Sequence, residues 1–130
     1  MGDRANIAIE QGDGSRVWLY SHWGGYDMPE TLQRALKLRE RWDDTPYFAR
    51  IVFSTMVANG SSPTTGYGIT TRMTDNEYPI LVVDCTGQIV KIEDEPERSR
   101  AESRPCIGKF WTFEQFVALP DVSWEALDKP

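Results

Sequence analysis

Apolar and polar residues alternate over residues 6–11 and again over 16–21, the period-two signature of half-buried strands. Gly12-Asp13-Gly14 between them predicts a hairpin turn. Beyond residue 21 the period changes. Leu32, Ala35, Leu36, Leu38 and Trp42 fall on one arc at helical spacing, with Lys37, Glu40 and Arg41 opposite, which predicts a helix running to about Trp42. Asp27-Met28-Pro29-Glu30 supplies its start: Asp27 can cap, Glu30 can reach back, and Pro29 suits the first turn. Arg39 falls inside the apolar arc, so its stem is expected to pack while its head reaches water at the edge.

Thr45-Pro46 predicts a second helix, capped by the threonine with proline at its first position. Phe48, Ala49, Ile51, Val52, Phe53, Met56 and Val57 point almost everywhere around it, which predicts burial on most sides. Only Arg50 and Ser54 form a polar strip, so Arg50 is expected to meet a carboxylate, a carbonyl cluster or a ligand anion. A loop follows at 58–65, then a strand at 66–72, a turn at 74–77 and a continuous apolar run at 78–84. Such a run predicts a central strand, with Pro79 near its start. Thr86-Gly87 makes a further hairpin turn to a strand at 88–92. The charged, proline-bearing stretch 93–105 predicts a solvated connection. Thr112-Phe113-Glu114-Gln115 is a capping-box pattern opening a short helix at 113–119, and 122–127 adds a last turn that packs Trp124. The expected fold is a single α+β domain over 1–130. It has four to six mainly antiparallel strands, two long helices on one face and short C-terminal helices beside them.

Composition narrows what such a domain does. With 130 residues, 40% of them hydrophobic, the chain has enough apolar surface for one packed core. The two cysteines, Cys85 and Cys106, are expected as reduced thiols in a cytoplasm, and with one histidine no structural zinc site is expected. The apolar runs are too short to span a bilayer, so no membrane partner is expected. A net charge of −6 repels a polyphosphate backbone and argues against DNA or RNA, but not against a small anion held locally by arginines. No cofactor motif is present.

Chemistry concentrates at residues 20–26, which hold His22, Trp23, Gly24, Gly25 and Tyr26 before a helix N-terminus. Trp23 and Tyr26 can stack a base, the glycines admit a flat ligand, and the helix terminus favours an anion. The same residues also fit a tight turn whose aromatics are core. Arg4 and Asn6 share one side of the first strand, and Glu77 opens the way to the central strand. His22 can act as acid or base, but the sequence supplies no nucleophile beside it.

M-G-D-R-A-N at 1–6, H-W-G-G-Y at 22–26, the R-W-D-D-x-P-Y-x-A-R-I stretch at 41–51, T-G-Y-G-I at 65–69 and D-N-E-Y-P-I-L-V-V-D at 75–84 carry a likeness. Over this part the chain resembles a family of small uncharacterised proteins of bacteriophages and prophages. The resemblance implies a counter-defence role. One class of such proteins captures nucleotide immune signals, such as those of the Thoeris and CBASS systems. The leading expectation is a sponge without catalysis for a cyclic nucleotide or ADP-ribose derivative. Trp23 and Tyr67 would stack the base, and Arg4, Arg50 and the Gly24-Gly25 backbone would hold phosphates. His22, Asn6 and Glu77 would read polar edges, with Tyr26 beside them. Two alternatives stand: an enzyme cleaving such a signal through His22, and a module that blocks a host protein through an exposed aromatic patch. A homo-oligomer fits the reading, because small domains often build pockets at symmetric interfaces.

Overall fold

A computed structural model describes residues 2–58, 60, 65–93 and 107–127. Six strands form one sheet: β1 Ala5–Glu10, β2 Arg16–Ser21, β3 Tyr67–Thr70, β4 Ile80–Asp84, β5 Ile89–Glu93 and β6 Ile107–Thr112. Their order is β3-β2-β1-β4-β5-β6. The β1–β4 pair is parallel and every other pair is antiparallel, so the sheet is mixed and mainly antiparallel. Parallel neighbours need a long crossover. Here it holds β2, helix α1 (Met28–Lys37), helix α2 (Thr45–Ala58) and β3. Two short helices, α3 (Phe113–Ala118) and α4 (Trp124–Leu127), close the chain.

The apolar run of β4 lies at the centre of the sheet with Ile80–Val83 buried, and Pro79 stands outside the ladder, where its missing N–H costs nothing. Ile7, Ile9, Leu19, Leu81 and Val83 face the helices. Leu32, Ala35 and Leu36 of α1 and Phe48, Val52 and Met56 of α2 meet them. Gln33 is buried and ties α1 to α3: its amide donates to the carbonyls of Phe116 (3.1 Å), Val117 (3.3 Å) and Leu119 (3.0 Å) at the end of that helix, where backbone carbonyls run short of intrahelical partners. The capping box of α3 forms as its pattern predicts. Thr112 Oγ1 accepts from Gln115 N, and the Gln115 side chain accepts from Thr112 N.

On the opposite face Ala8, Ile80 and Val82 are buried, with Trp18 and Met73 packed against them. A charge network bridges β2 and β5 across β1 and β4. Arg16 donates to Glu10 at 3.0 Å and in bidentate fashion to Glu93 at 3.0 and 2.7 Å, and Lys91 donates to Glu10 at 3.2 Å. Burial pushes the Glu10 carboxyl up, but the bonds from Lys91 and Arg16 outweigh it and hold the group below its ordinary 4.5. A carboxyl held low in the folded state stabilises the fold above its unfolded value, and that stability is lost as pH falls through the folded value. Denaturant unfolding is therefore expected to show stability dropping below about pH 4.5, with a shallower drop in Glu10→Gln. Equal slopes in the two proteins would remove Glu10 as the cause.

Several expectations are corrected. Helix α1 ends at Lys37, not near Trp42. Arg39 and Arg41 adopt φ of 54° and 59°, left-handed values that cannot continue a helix. Trp42 folds back and donates from Nε1 to Leu36 O at 3.2 Å, so Leu38 is left exposed. The Arg39 head does reach water, paired with Glu114 and lying 5.3 Å over the Trp42 ring. Asp27 makes no side-chain cap, because its φ of −91° and ψ of 5° keep the carboxylate away from the first-turn amides. Helix α2 already includes Thr45, and Asp44 takes the capping place, its carbonyl accepting from Phe48 N at 2.8 Å. That helix buries one row, Phe48, Val52 and Met56, rather than most of its surface. No element covers its outer side among the described residues, so Arg50 and Ser54 are exposed and Arg50 is no buried charge.

Strand β6 has no counterpart among the predicted elements. Of the charged stretch 93–105, Glu93 closes β5 and the rest lies outside the described residues, as do Cys106 and residues 59 and 61–64 of the expected loop. Cys85 is a free, buried thiol pushed up to about 11, first by burial. Among the described residues no helix is long and apolar enough to cross a membrane.

Candidate functional site

Strand β2 ends at Ser21, whose hydroxyl accepts from Gly24 N at 2.9 Å and folds the next three residues into a tight turn. His22 N donates to Gly66 O at 2.8 Å, which brings the entrance of β3 alongside. The Trp23 ring packs closely against Gly66: a Cβ there would stand 2.6 Å from the indole. Gly66 also has φ +90°, so glycine is required twice over. Trp23 stays 58% exposed.

That ring forms one wall of a cleft of about 560 Å³. Tyr67 lines it as well, in β3 and opposite Ser21 in register. Buried Met56 of α2 contributes apolar surface. The first two turns of α1 form the remaining side, where Asp27, Glu30, Thr31 and Arg34 run at helical spacing along one stripe. Glu30 accepts from Arg34 at 3.2 Å. The cleft thus combines two aromatic rings, two carboxylates, hydroxyls and one guanidinium. Asp27 and Glu30 already supply negative charge at the α1 N-terminus. A phosphate placed there would meet two carboxylates.

The residues singled out in the sequence fall into four places. Trp23, Gly24 and Tyr67 share the cleft. Arg4, Asn6, His22 and Glu77 gather on the sheet face away from the helices. Buried Asn6 donates to Asp75 O at 3.1 Å and to Asn76 Oδ1 at 3.2 Å, which ties the turn 74–76 to β1. Arg4 pairs with Asp75 at 3.7 Å and Glu77 at 4.0 Å. His22 Nδ1 shares a hydrogen bond of 2.7 Å with Tyr20 Oη, and its ring meets Trp23 edge-on at 4.9 Å. Tyr20 is pushed up by burial above all, with Arg4 opposing. Among the described residues no serine, threonine or cysteine side chain hydrogen-bonds to His22.

Gly25 and Tyr26 occupy the third place. A Cβ on Gly25 would stand 2.6 Å from Asp3 O and 2.8 Å from the Tyr78 ring. Its carbonyl accepts from Trp124 Nε1 at 2.9 Å, and Trp124 stacks on Tyr78 at 5.3 Å. Tyr78 donates to Asp3, and burial first, then that bond, pushes its hydroxyl well above the usual tyrosine range. Gly25 is therefore a packing requirement, and Tyr26 reaches away to Glu125 at 3.0 Å. The fourth place is the outer face of α2, where Arg50 stands apart from the others.

Sequence reasoning gave Asp27 and Glu30 only capping roles and passed over Ser21, Thr31, Arg34 and Met56. The i, i+3, i+4, i+7 stripe Asp27-Glu30-Thr31-Arg34 was the available signal. Among the described residues no group of three or more His, Cys, Asp or Glu side chains is placed to hold a metal. Comparison with protein-family models, with curated proteins and with solved structures finds no match.

Proposed function

We propose that the chain binds a small planar ligand bearing hydroxyl groups in this cleft, and that the ligand is a nucleotide-derived signal held by its nucleoside part. One observation carries the reading. An exposed tryptophan, its ring seated on Gly66, and Tyr67 line the same cleft as the polar stripe Asp27-Glu30-Thr31. A base stacked on such rings gains about 1–3 kcal/mol each. Carboxylates accept hydrogen bonds and suit ribose hydroxyls. Arg34 is the cation in the cleft lining and already pairs with Glu30, so the nucleoside contributes more of the affinity than the phosphates do.

His22 does not line this cleft, which favours capture over cleavage. The resemblance to phage proteins gives capture a purpose: removal of an immune signal in the cytoplasm of an infected bacterium.

A thermal-shift panel of cyclic nucleotides, ADP-ribose derivatives, adenosine and pyrophosphate tests this. A ligand at 100 times its dissociation constant adds about 2.7 kcal/mol, or about 10 °C for a domain of this size. Nucleotides are expected to shift the midpoint strongly, adenosine measurably and pyrophosphate not at all. A shift with pyrophosphate alone, or none with any member, would refute it.

A further inference from the structure

Outside the cleft, a groove of about 440 Å³ runs between α1 and α2. Leu38, Tyr47, Ile51 and Ala58 give it an apolar surface, and Arg34 and Arg50 stand in the same lining. Leu38, just past the end of α1, is 56% exposed and Tyr47 of α2 is 59% exposed, and the two share this one groove. None of the lining residues is acidic, although the chain carries a net charge of −6. Arg34 pairs with Glu30, whereas Arg50 forms no ion pair among the described residues. Arg41 lies 4.6 Å over the Tyr47 ring and pairs with Asp44 at 3.8 Å, so Arg50 is the uncompensated guanidinium among the described residues here.

We propose that this groove docks an acidic amphipathic segment of a partner protein. Its apolar side chains would lie between Leu38 and Tyr47, and its carboxylates would meet Arg50 and Arg34. The charge pattern chooses the partner. Guanidiniums beside apolar surface, with no acid among the lining residues, complement alternating carboxylates and leucine-like side chains. The net negative charge opposes an acidic partner at long range, but screening beyond about 10 Å leaves the local guanidiniums in control. Leu38 and Tyr47, more than half exposed, argue against a small ligand, which normally loses roughly 70–90% of its surface on binding. Ser54 and Ala58 are small and exposed, so a partner helix can approach α2 closely. The inference does not depend on the nucleotide reading, since Arg50 and Tyr47 lie outside the cleft.

The test uses a fluorescein-labelled helical peptide with leucines at helical spacing and glutamates beside them, and a second peptide with lysine for each glutamate. Anisotropy on the full chain is expected to show saturable binding of the glutamate peptide. Arg50→Glu, an exposed substitution, is expected to weaken it about tenfold and to strengthen the lysine peptide. Amide shifts in an isotope-labelled sample are expected to cluster on α1 and α2. No saturation up to about 1 mM, a Kd in the weakest range proteins use, would overturn the proposal. So would equal binding of both peptides, or indifference to Arg50→Glu. Binding of dodecanoate without the glutamate peptide would reassign the groove to an anionic amphiphile. Self-association of the chain abolished by Arg50→Glu would reassign it to a second copy.

Discussion

Phe48→Ala is expected to lower the free energy of unfolding by about 4 kcal/mol, the cost of a large buried ring plus the cavity it leaves. Phe48 is fully buried on the inner row of α2. Its ring stacks on Phe113 at 5.8 Å, and Phe113 meets Trp42 edge-on at 5.4 Å. Phe113, at the start of α3, is thus held between Phe48 of α2 and Trp42 of the residues that follow α1. Removing the Phe48 ring takes one side of that stack away and leaves a cavity in the core. For a domain of this size the melting midpoint should fall by about 15 °C. Tyr47→Ala, one residue away but exposed, should cost less than about 0.5 kcal/mol. Equal losses in the two variants would mean that α2 presents a different face to the sheet.

Trp23→Ala is expected to weaken ligand binding about 30-fold, which corresponds to roughly 2 kcal/mol of lost stacking. Its effect on stability should be small, because more than half of the side chain already meets water. That split separates a binding role from a packing role. Gly66→Ala should behave differently. The new Cβ would collide with the indole, and the φ of +90° would be strained, so both stability and affinity should fall. Calorimetric titration of both variants, with melting curves alongside, distinguishes them. A Trp23→Ala protein that binds normally yet melts early would make the indole a structural group.

The sheet and helices were largely legible because their cues are local. The hairpin at 11–15, the apolar run of β4 and the capping box of α3 each depend on a few adjacent residues. Legibility failed where a distant contact decides. Leu38 continues the apolar arc of α1, but the helix stops when Trp42 returns to the Leu36 carbonyl. Strand β6 exists because β5 offers an edge to pair with, which nothing in its own six residues announces. The residues of α2 point everywhere on a helical wheel, yet one row is buried, because burial depends on what packs outside. The site was legible only in part for the same reason. Trp23, Gly24 and Tyr67 come together, but Arg4, Asn6, His22 and Glu77 lie on the other side of the sheet. A strand separates neighbours in sequence onto opposite faces. The acidic stripe of α1 was hidden because Asp27 and Glu30 also fit a helix start.

Binding in the cleft is tested most directly by incubating the purified chain with the nucleotide panel, filtering it, releasing bound material by heat and weighing what is released. Near-stoichiometric recovery of one intact nucleotide from the unaltered chain, and its loss from Trp23→Ala, is the expected result. Recovery of a product of altered mass would make the chain an enzyme. Retention of nothing would leave the cleft without a nucleotide ligand.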